Sequence, residues 1–600
     1  GKMLNLPEFE AVCYGRAGDR IKAVLKTLSD VSGAVAPATE DQLGVYTRIA
    51  AATCAVLADP EVQPTQDEMA SLYGLQGALT NLLRASGFRG SDHLASLRSG
   101  EFSNLMSVDT ALDMNVRQVR DRAGPLALLA CLTSLSTVPL LTVQGERRRE
   151  AFLELIREGD LGQIPAKMGS LSMVTNGWMI CSYALSHDKH EIKRTLNEAL
   201  RDLLGRLGIS AAPLPARAPL KARPTLVFAA EVIHSRHVQY RYYGQYLRQL
   251  RTRFRLVLVA PGAQVDDAVR ALFDEVHAFE ESPHGGHLLE ILAACAREQP
   301  DILFWPSLGM SNWGPLLANL RLAPIQMVAI GHPASTFIPE IDYMVLEEGF
   351  VDDPDQFSER LILLPDAALR LERPPAYTPI APQIRKAAEP LRVALPSSML
   401  KLNPTYVALL SRLRDRAATA GRRLEYHMFP SAAALQIAAF KAVNDSRLGD
   451  PVIHPRLTPA AYLERLNTCD LALSPFPFGG FHSVIDCLRQ GLPVVAMDAP
   501  GNPVKTDRML MRLLDMPDWL VATTEDAYEE AALRVILNDD LRLELGRQAL
   551  AADIDARLFS DGDRPIRSEV VDAIWAVYQH HEAIQASPAR ALRLKELASL

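Results

Sequence analysis

Leu471-Ala-Leu-Ser-Pro-Phe-Pro-Phe-Gly-Gly-Phe-His-Ser-Val-Ile-Asp-Cys-Leu-Arg-Gln-Gly-Leu-Pro-Val-Val495 decides the fold. An apolar strand runs into a Gly479-Gly480 turn, a helix starts near Ser483, and a second apolar strand follows from Pro493. That is one parallel βα unit. Its helix start turns backbone N–H groups and the positive end of a helix dipole towards the mouth of the sheet, as a pyrophosphate requires. Asp486 sits in the first turn. It either accepts hydrogen bonds from ribose hydroxyls or closes a capping box with Ser483, since Ser-x-x-Asp is that pattern.

The same grammar extends in both directions. Downstream of a proline-rich break that begins at Arg373, strands are predicted at 391–395, 424–428, 471–474 and 493–497. Upstream of the break they are predicted at 225–229, 254–259, 275–279, 302–305, 325–330 and 341–345. Two doubly wound α/β domains follow, their strand ends facing a common cleft. The Pro- and Ala-rich stretch 209–224 cannot continue a helix and reads as a linker. Ahead of it, apolar residues recur at three- and four-residue spacings around 20–28, 46–57, 68–83 and 191–207, with no repeat period, so an irregular all-α domain is expected. The predicted organisation is an all-α domain over 1–208, Rossmann-like domains over 225–375 and 390–575, and a C-terminal helix over 576–600.

A chain of 600 residues, 48% hydrophobic and 22% charged, has ample material for several cores and is expected to be globular throughout. Lys and Arg number 63 against 71 Asp and Glu, a net charge of -8 without a basic block, which argues against nucleic acid as a partner and requires any phosphate ligand to be held locally. Seven scattered cysteines without a CxxC pair fit reduced thiols rather than a disulfide framework or a zinc site. The N-terminus lacks a signal-peptide pattern, and no apolar run approaches the roughly 18 residues that a membrane span needs. A soluble cytoplasmic protein, working away from membranes, is the expectation.

Lys401 falls in the loop after a strand, just ahead of a helix marked by Asn403 as N-cap and Pro404 at the first position. A cation there either neutralises a departing diphosphate or is a solvated surface lysine. His234, Arg236 and His237 follow the first strand of the first α/β domain; without a further ligand nearby, the histidines suit phosphate or sugar hydrogen bonding better than a metal. His332, in Gly331-His332-Pro333, repeats the strand-end logic or is a satisfied loop histidine. His482, between the Gly-Gly turn and Ser483, is expected to reach the pyrophosphate or the hexose. Asp-x-Asp triplets at 353–355, 553–555 and 561–563 follow no convincing strand, so metal-dependent sugar transfer is not supported. P-loop, dinucleotide-binding and nucleophile-elbow motifs are absent.

The runs Asn319-Leu-Arg-Leu-Ala-Pro-Ile-Gln326, Gly331-His-Pro-Ala, Lys401-Leu-Asn-Pro404, Asn467-Thr-Cys-Asp470 with Pro475-Phe-Pro-Phe-Gly479, and Met516-Pro-Asp-Trp-Leu520 resemble the bacterial cytoplasmic N-glycosyltransferases that modify high-molecular-weight adhesins, relatives of O-GlcNAc transferase. Cys181-Ser-Tyr, Lys189-His190 and Lys193-Arg194 resemble the segment closing that family's helical domain. The resemblance implies a GT-B fold and an inverting, metal-independent, cofactor-free enzyme. Such an enzyme moves glucose or galactose from its UDP-sugar to Asn in Asn-x-Ser/Thr sequences of a polypeptide acceptor, such as an adhesin before export.

It also implies that His237 lies at the donor site, Ser398 near the nucleotide, Lys401 on the diphosphate and Asp486 on the ribose. His234, Lys401 and His237 are the expected catalytic set, and Ser398, Gly479, Gly480, His482, Ser483, Asp486, His332, Gln326 and Lys505 the expected substrate-binding set. The chain departs from the family at His482, where Asn or Thr is common. It departs again at Thr336-Phe337, at Pro430-Ser-Ala-Ala in place of a glutamine, and at Pro503-Val-Lys505 in place of a histidine segment. Two alternatives follow: a Ser/Thr O-glycosyltransferase resembling O-GlcNAc transferase, and an interaction protein that has lost catalysis.

Overall fold

The computed structural model describes residues 5–15, 19–32, 39–88, 90–97, 107–110, 115–123, 125–159, 161–164, 168–214, 219–282, 285–373, 379–385, 389–499, 501–559 and 569–599. Strands β1 (Thr225–Ala229), β2 (Arg255–Pro261), β3 (Glu275–Phe279), β4 (Ile302–Trp305), β5 (Ile325–Ala329), β6 (Tyr343–Glu347) and β7 (Arg360–Leu364) belong to the first α/β domain. Strands β8 (Leu391–Leu395), β9 (Leu424–Met428), β10 (Val452–Ile453), β11 (Leu471–Leu473), β12 (Val494–Met497) and β13 (Val521–Ala522) form the second, and β14 (Ala591–Arg593) lies beyond it in the sequence. The sheet orders are β14-β7-β6-β5-β4-β1-β2-β3 and β10-β9-β8-β11-β12-β13. All pairings within the sheets are parallel. Strands buried in a parallel sheet are apolar nearly throughout, which is why β1 to β6, β8, β9, β11 and β12 stand out in the sequence as runs, whereas β7, β10, β13 and β14 are not predicted. This is the two-domain GT-B arrangement with a helical N-terminal part.

The C-terminal segment differs from the predicted single helix over 576–600. The described helix spans Glu569–Ala586 with a kink at His580, then β14 pairs with β7 of the first domain through Ala591 opposite Leu361. Arg360 seals the return by donating to the carbonyls of Ile584 and Ser587. Lys221, near the end of the predicted linker, meets the same helix, its N–H donating to the Tyr578 hydroxyl at 2.9 Å.

The helical part holds two cores where one was expected. Helices from Leu6–Tyr14 to Asp92–Leu97 share an apolar cluster that admits Leu435, a residue of the second α/β domain. Residues 108–204 instead join the continuous core of both α/β domains. The predicted helix over 68–83 is two, Gln66–Gly74 and Gln76–Ala85, parted at Leu75. Thr39 starts the helix Glu40–Ala58 with a full capping box to Gln42. Among the described residues, no helix is long and apolar enough to cross a membrane.

Leu435 is 2% exposed and is the second domain's apolar member of the N-terminal core. Leu435→Ala should cost about 2–5 kcal/mol at that contact. Hydrogen exchange should accelerate in the helices Glu40–Ala58 and Gln76–Ala85 and stay slow in β1 and β4.

Candidate functional site

The segments that follow β1 and β6 in the first domain meet those that follow β11 and β12 in the second, through Arg241 and Asp486, Tyr242 and Phe481, and Val351 and Val504. In the second domain, Asn403 caps the helix Pro404–Thr419 by accepting from the Tyr406 N–H at 2.9 Å. The turn ahead of it starts at Ser398, whose carbonyl accepts from the Lys401 N–H. Lys401 Nζ donates to the Gly479 carbonyl at 2.5 Å and lies 4.6 Å from the centre of the Phe478 ring. It is therefore not a solvated surface lysine. Burial pulls its pKa down to about 8, with Asp507 pulling it back up.

The Gly-Gly turn is built differently from the expectation that its N–H groups await an anion. The Gly480 N–H donates to both oxygens of Asp507 at 3.0 Å, and the Phe481 N–H donates to the same carboxylate at 2.9 Å. Ser474 Oγ and Thr506 Oγ1 complete the shell at 2.5 and 3.2 Å. A Cβ on Gly479 would stand 2.5 Å from an Asp507 oxygen, so only glycine fits there. The helix opens at His482 with Phe481 as N-cap, at φ 29°. Ser483 donates to the Gly480 carbonyl at 2.9 Å, and the capping box with Asp486 does not form. Asp486 instead pairs across the cleft with Arg241 at 3.0 Å.

On the first domain, His237 caps the helix Val238–Leu250 by accepting the Gln239 N–H on Nδ1 at 3.3 Å. Burial, then His234, pushes its pKa down to about 4. The ring is neutral at pH 7, its proton is assigned to Nε2, and that nitrogen is a donor rather than a base. The His234 ring stands edge-on to it at 5.4 Å. His482 is also held neutral, by burial first and then by cationic side chains such as Arg241, and its ring stands edge-on to Phe481 at 4.8 Å. His482 Nδ1, His234 Nδ1, Gln239 Oε1, Ser307 Oγ and Ser397 Oγ are buried without a protein partner. Unpaired buried polar atoms are costly, so their gathering at strand ends marks a ligand-binding cleft.

Three expected site residues do other work. Gln326 is the second residue of β5, at the strand end remote from the cleft; its side chain accepts from the Leu322 N–H and donates to the Leu320 and Glu340 carbonyls. Lys505 is spent on Asp498 at 2.8 Å and on the Ala499 carbonyl at 3.0 Å, while its N–H donates to the Phe350 carbonyl of the first domain. His332 is buried against Trp178 and bonds through Nε2 to Ser182 Oγ, which also meets His190 Nε2. It docks the helical part onto the first domain.

Other groups in the site went unread. Arg241 stands one helical turn past His237, a spacing that could have revealed it. Asp507 offers no local signal. At the ends of β9 and β10 the Phe429 and His454 rings stack at 4.7 Å, with His427 5.2 Å from His454 and Tyr462 edge-on to Phe429. Burial above all, and then the Asp486 carboxylate, push the Tyr462 hydroxyl well above its ordinary pKa. Platform, carboxylate and lysine can receive a planar ring, a diol and an anion. Glu347, pushed up to about 7 by burial, takes the hydroxyls of Tyr242 and Tyr246.

Glu275, His277 and Glu298 bring ligand atoms together on the edge strand β3 and the helix beside it, where Arg255 pairs with both carboxylates. Of the Asp-x-Asp triplets, Asp353 caps its own turn, Asp555 pairs with Arg489, and 561–563 lies outside the described residues.

A family model described as HMW1 domain 2 matches residues 119–204. Over 94% of its length the chain is 27% identical to a UDP-glucose:protein N-beta-glucosyltransferase of Actinobacillus pleuropneumoniae serotype 5b (strain L20), covering 96% of that protein. It is 23% identical over 268 residues to the probable UDP-N-acetylglucosamine–peptide N-acetylglucosaminyltransferase SPINDLY of Solanum lycopersicum, which is 43% of this chain and 28% of that one. A mutant of the Thermobaculum terrenum O-GlcNAc transferase shares the fold with a TM-score of 0.60 at 16% identity, over 98% of this chain and 100% of that one. The likeness to the bacterial N-glycosyltransferases, first read from short motifs, is borne out along nearly the whole chain, and the likeness to O-GlcNAc transferase is borne out in the fold.

The kcat/KM of the free enzyme should fall as pH rises through about 8, where Lys401 loses its proton. Asp507→Asn removes the charge that raises this pKa, so the alkaline limb should move to lower pH. A pH profile of the variant checks this, and an unmoved limb would uncouple the two residues.

Proposed function

We propose that the chain is an inverting protein N-glycosyltransferase that moves a hexose from UDP-glucose or UDP-galactose to the side-chain amide of Asn in Asn-x-Ser/Thr sequences. The observation that carries this is that one turn joins the two groups, the buried Lys401 on the Gly479 carbonyl and the shielded Asp486 on the helix that opens at His482, in a chain similar along nearly its whole length to a UDP-glucose:protein N-beta-glucosyltransferase. The base lies on the Phe429 and His454 side, the ribose diol on Asp486 and the diphosphate at Lys401. Charge grows on that diphosphate as the glycosidic bond breaks, and a cation fixed beside it stabilises the transition state more than the ground state. The amide nitrogen is a poor nucleophile, so help to the leaving group carries much of the barrier reduction. Nε2 of His237 donates to the donor sugar or phosphate, and His482 adds a neutral hydrogen-bonding group at the same place.

The charge partners of the diphosphate are Lys401 and these neutral donors rather than a carboxylate cluster, which supports transfer without a metal or cofactor. The acceptor is a polypeptide, in our reading a secreted adhesin before export. None of the seven cysteines is in a disulfide, and six are buried, which supports work in a reducing cytoplasm.

Incubation with UDP-glucose, UDP-galactose and UDP-N-acetylglucosamine, a sequon peptide and its Asn→Gln counterpart, read by mass spectrometry, tests the reading. Hexose on the Asn peptide alone is expected. Sugar on both peptides, carried by Ser or Thr, would make it an O-glycosyltransferase, and no transfer would make it an interaction protein. UDP affinity measured by calorimetry should be the same with and without EDTA. Lys401→Ala should cost about 2–4 kcal/mol of transition-state stabilisation, read as kcat/KM.

A further inference from the structure

Arg241 and Asp486 come from different α/β domains, 245 residues apart, and meet at 3.0 Å. Both side chains are well shielded, at 13% and 17% exposure, so water screens the pair little and the bond is of the strong, charge-assisted kind. Arg241 is also anchored beside Leu371 and Glu372, at the end of the first domain's sequence. Its guanidinium lies 5.3 Å from the centre of the Phe559 ring, Phe559 bridges to Leu371, and the Arg241 carbonyl accepts from the Glu372 N–H at 2.7 Å. The next residue, Tyr242, packs on Phe481, the N-cap of the helix that carries Asp486. One turn of the first domain thus grips the start of the nucleotide helix by both its cap and its carboxylate.

We infer that Arg241 is a positioning residue that presents Asp486 to the ribose and couples donor binding to closure of the cleft. The inference rests on the nucleotide-sugar reading of the site. Arg241 bonds to Oδ1 and leaves the lone pairs of Oδ2 to the two hydroxyls of a diol. Held from the opposite wall, the carboxylate meets the ribose already oriented. The bond exists only while the two walls are together. A nucleotide that needs the oriented carboxylate therefore binds the closed state more tightly and shifts the population towards it.

A double-mutant cycle on the full chain tests this, with Arg241→Met, Asp486→Asn and the pair, reading the Kd for UDP and for uridine. Each single change should weaken UDP about tenfold, and the double change should weaken it about as much as either one alone. Uridine should show the same loss, because the coupling runs through the ribose. In the unaltered chain UDP should slow hydrogen exchange over 481–489, and in Arg241→Met that protection should shrink. Arg241→Lys, which keeps the charge, should keep the wild-type melting temperature and lose part of the affinity.

Losses that multiply to about a hundredfold in the double variant would mean independent roles and overturn the coupling. A loss seen with UDP and not with uridine would put Arg241 on the phosphate and overturn it too. UDP binding by the unaltered chain with Arg241→Met indistinguishable from it overturns this inference alone. An unaltered chain that binds neither UDP nor uridine overturns the nucleotide-sugar reading itself.

Discussion

The carboxylate of Asp507 is the constraint on which the second wall of the cleft depends. It is 4% exposed and gathers two backbone N–H groups and two hydroxyls. Without it, the Gly480 and Phe481 N–H groups would lose their anion, at a cost of about 1–3 kcal/mol for each buried unpaired donor. The grip also sustains Phe481 at φ 29°, a conformation that a side-chain-bearing residue resists. Because Phe481 is held there, the following helix points His482 and Asp486 at the first domain, and the Gly479 carbonyl turns to meet Lys401. An internal anion, rather than an incoming one, gives the turn its shape, and the ligand is left to the groups the turn displays.

Fold was more legible in the sequence than wiring. Buried parallel strands are continuous apolar runs, so β1 to β6, β8, β9, β11 and β12 announced themselves. The two-residue strands β10 and β13 are too short to leave a pattern, and β14 owes its conformation to the edge of β7 more than to its own residues. Positions after strand ends could also be read: His237 follows β1, Lys401 follows β8, and His482 and Asp486 follow β11. Their partners could not, since Arg241 reaches Asp486 from another domain and Asp507 reaches Gly480 from beyond the next strand. Gln326 misled because it opens its strand instead of closing it. Lys505 misled because Asp498, seven residues earlier, neutralises it.

The helical part is tied to both walls through two buried lysines. Lys189 donates to the Ala184 carbonyl and, at 2.7 Å, to Asn502 of the second domain, and burial pulls its pKa down to about 7. Lys193, pulled down to about 8 by burial, donates to the Ser335 carbonyl of the first domain at 2.8 Å and lies over Trp178. A buried ammonium is tolerated only when its protons are satisfied, so each lysine demands its distant acceptor. Residues 182–197 thereby fix where the loops after β5 and β12 can sit, and the helices become the third side of the cleft.

The pairing of β14 with β7 sets an order on biosynthesis. The first sheet begins at Thr225 and reaches β7 at Leu364, yet the strand that covers its β7 edge is Ala591–Arg593. At about 5–20 residues per second, the nascent chain carries that open edge for tens of seconds while the whole second domain is made. An uncovered parallel edge is a template for pairing with another chain. The first domain is therefore most exposed to misassembly after its own sequence has been translated, and the cover for its edge is made only after the second domain.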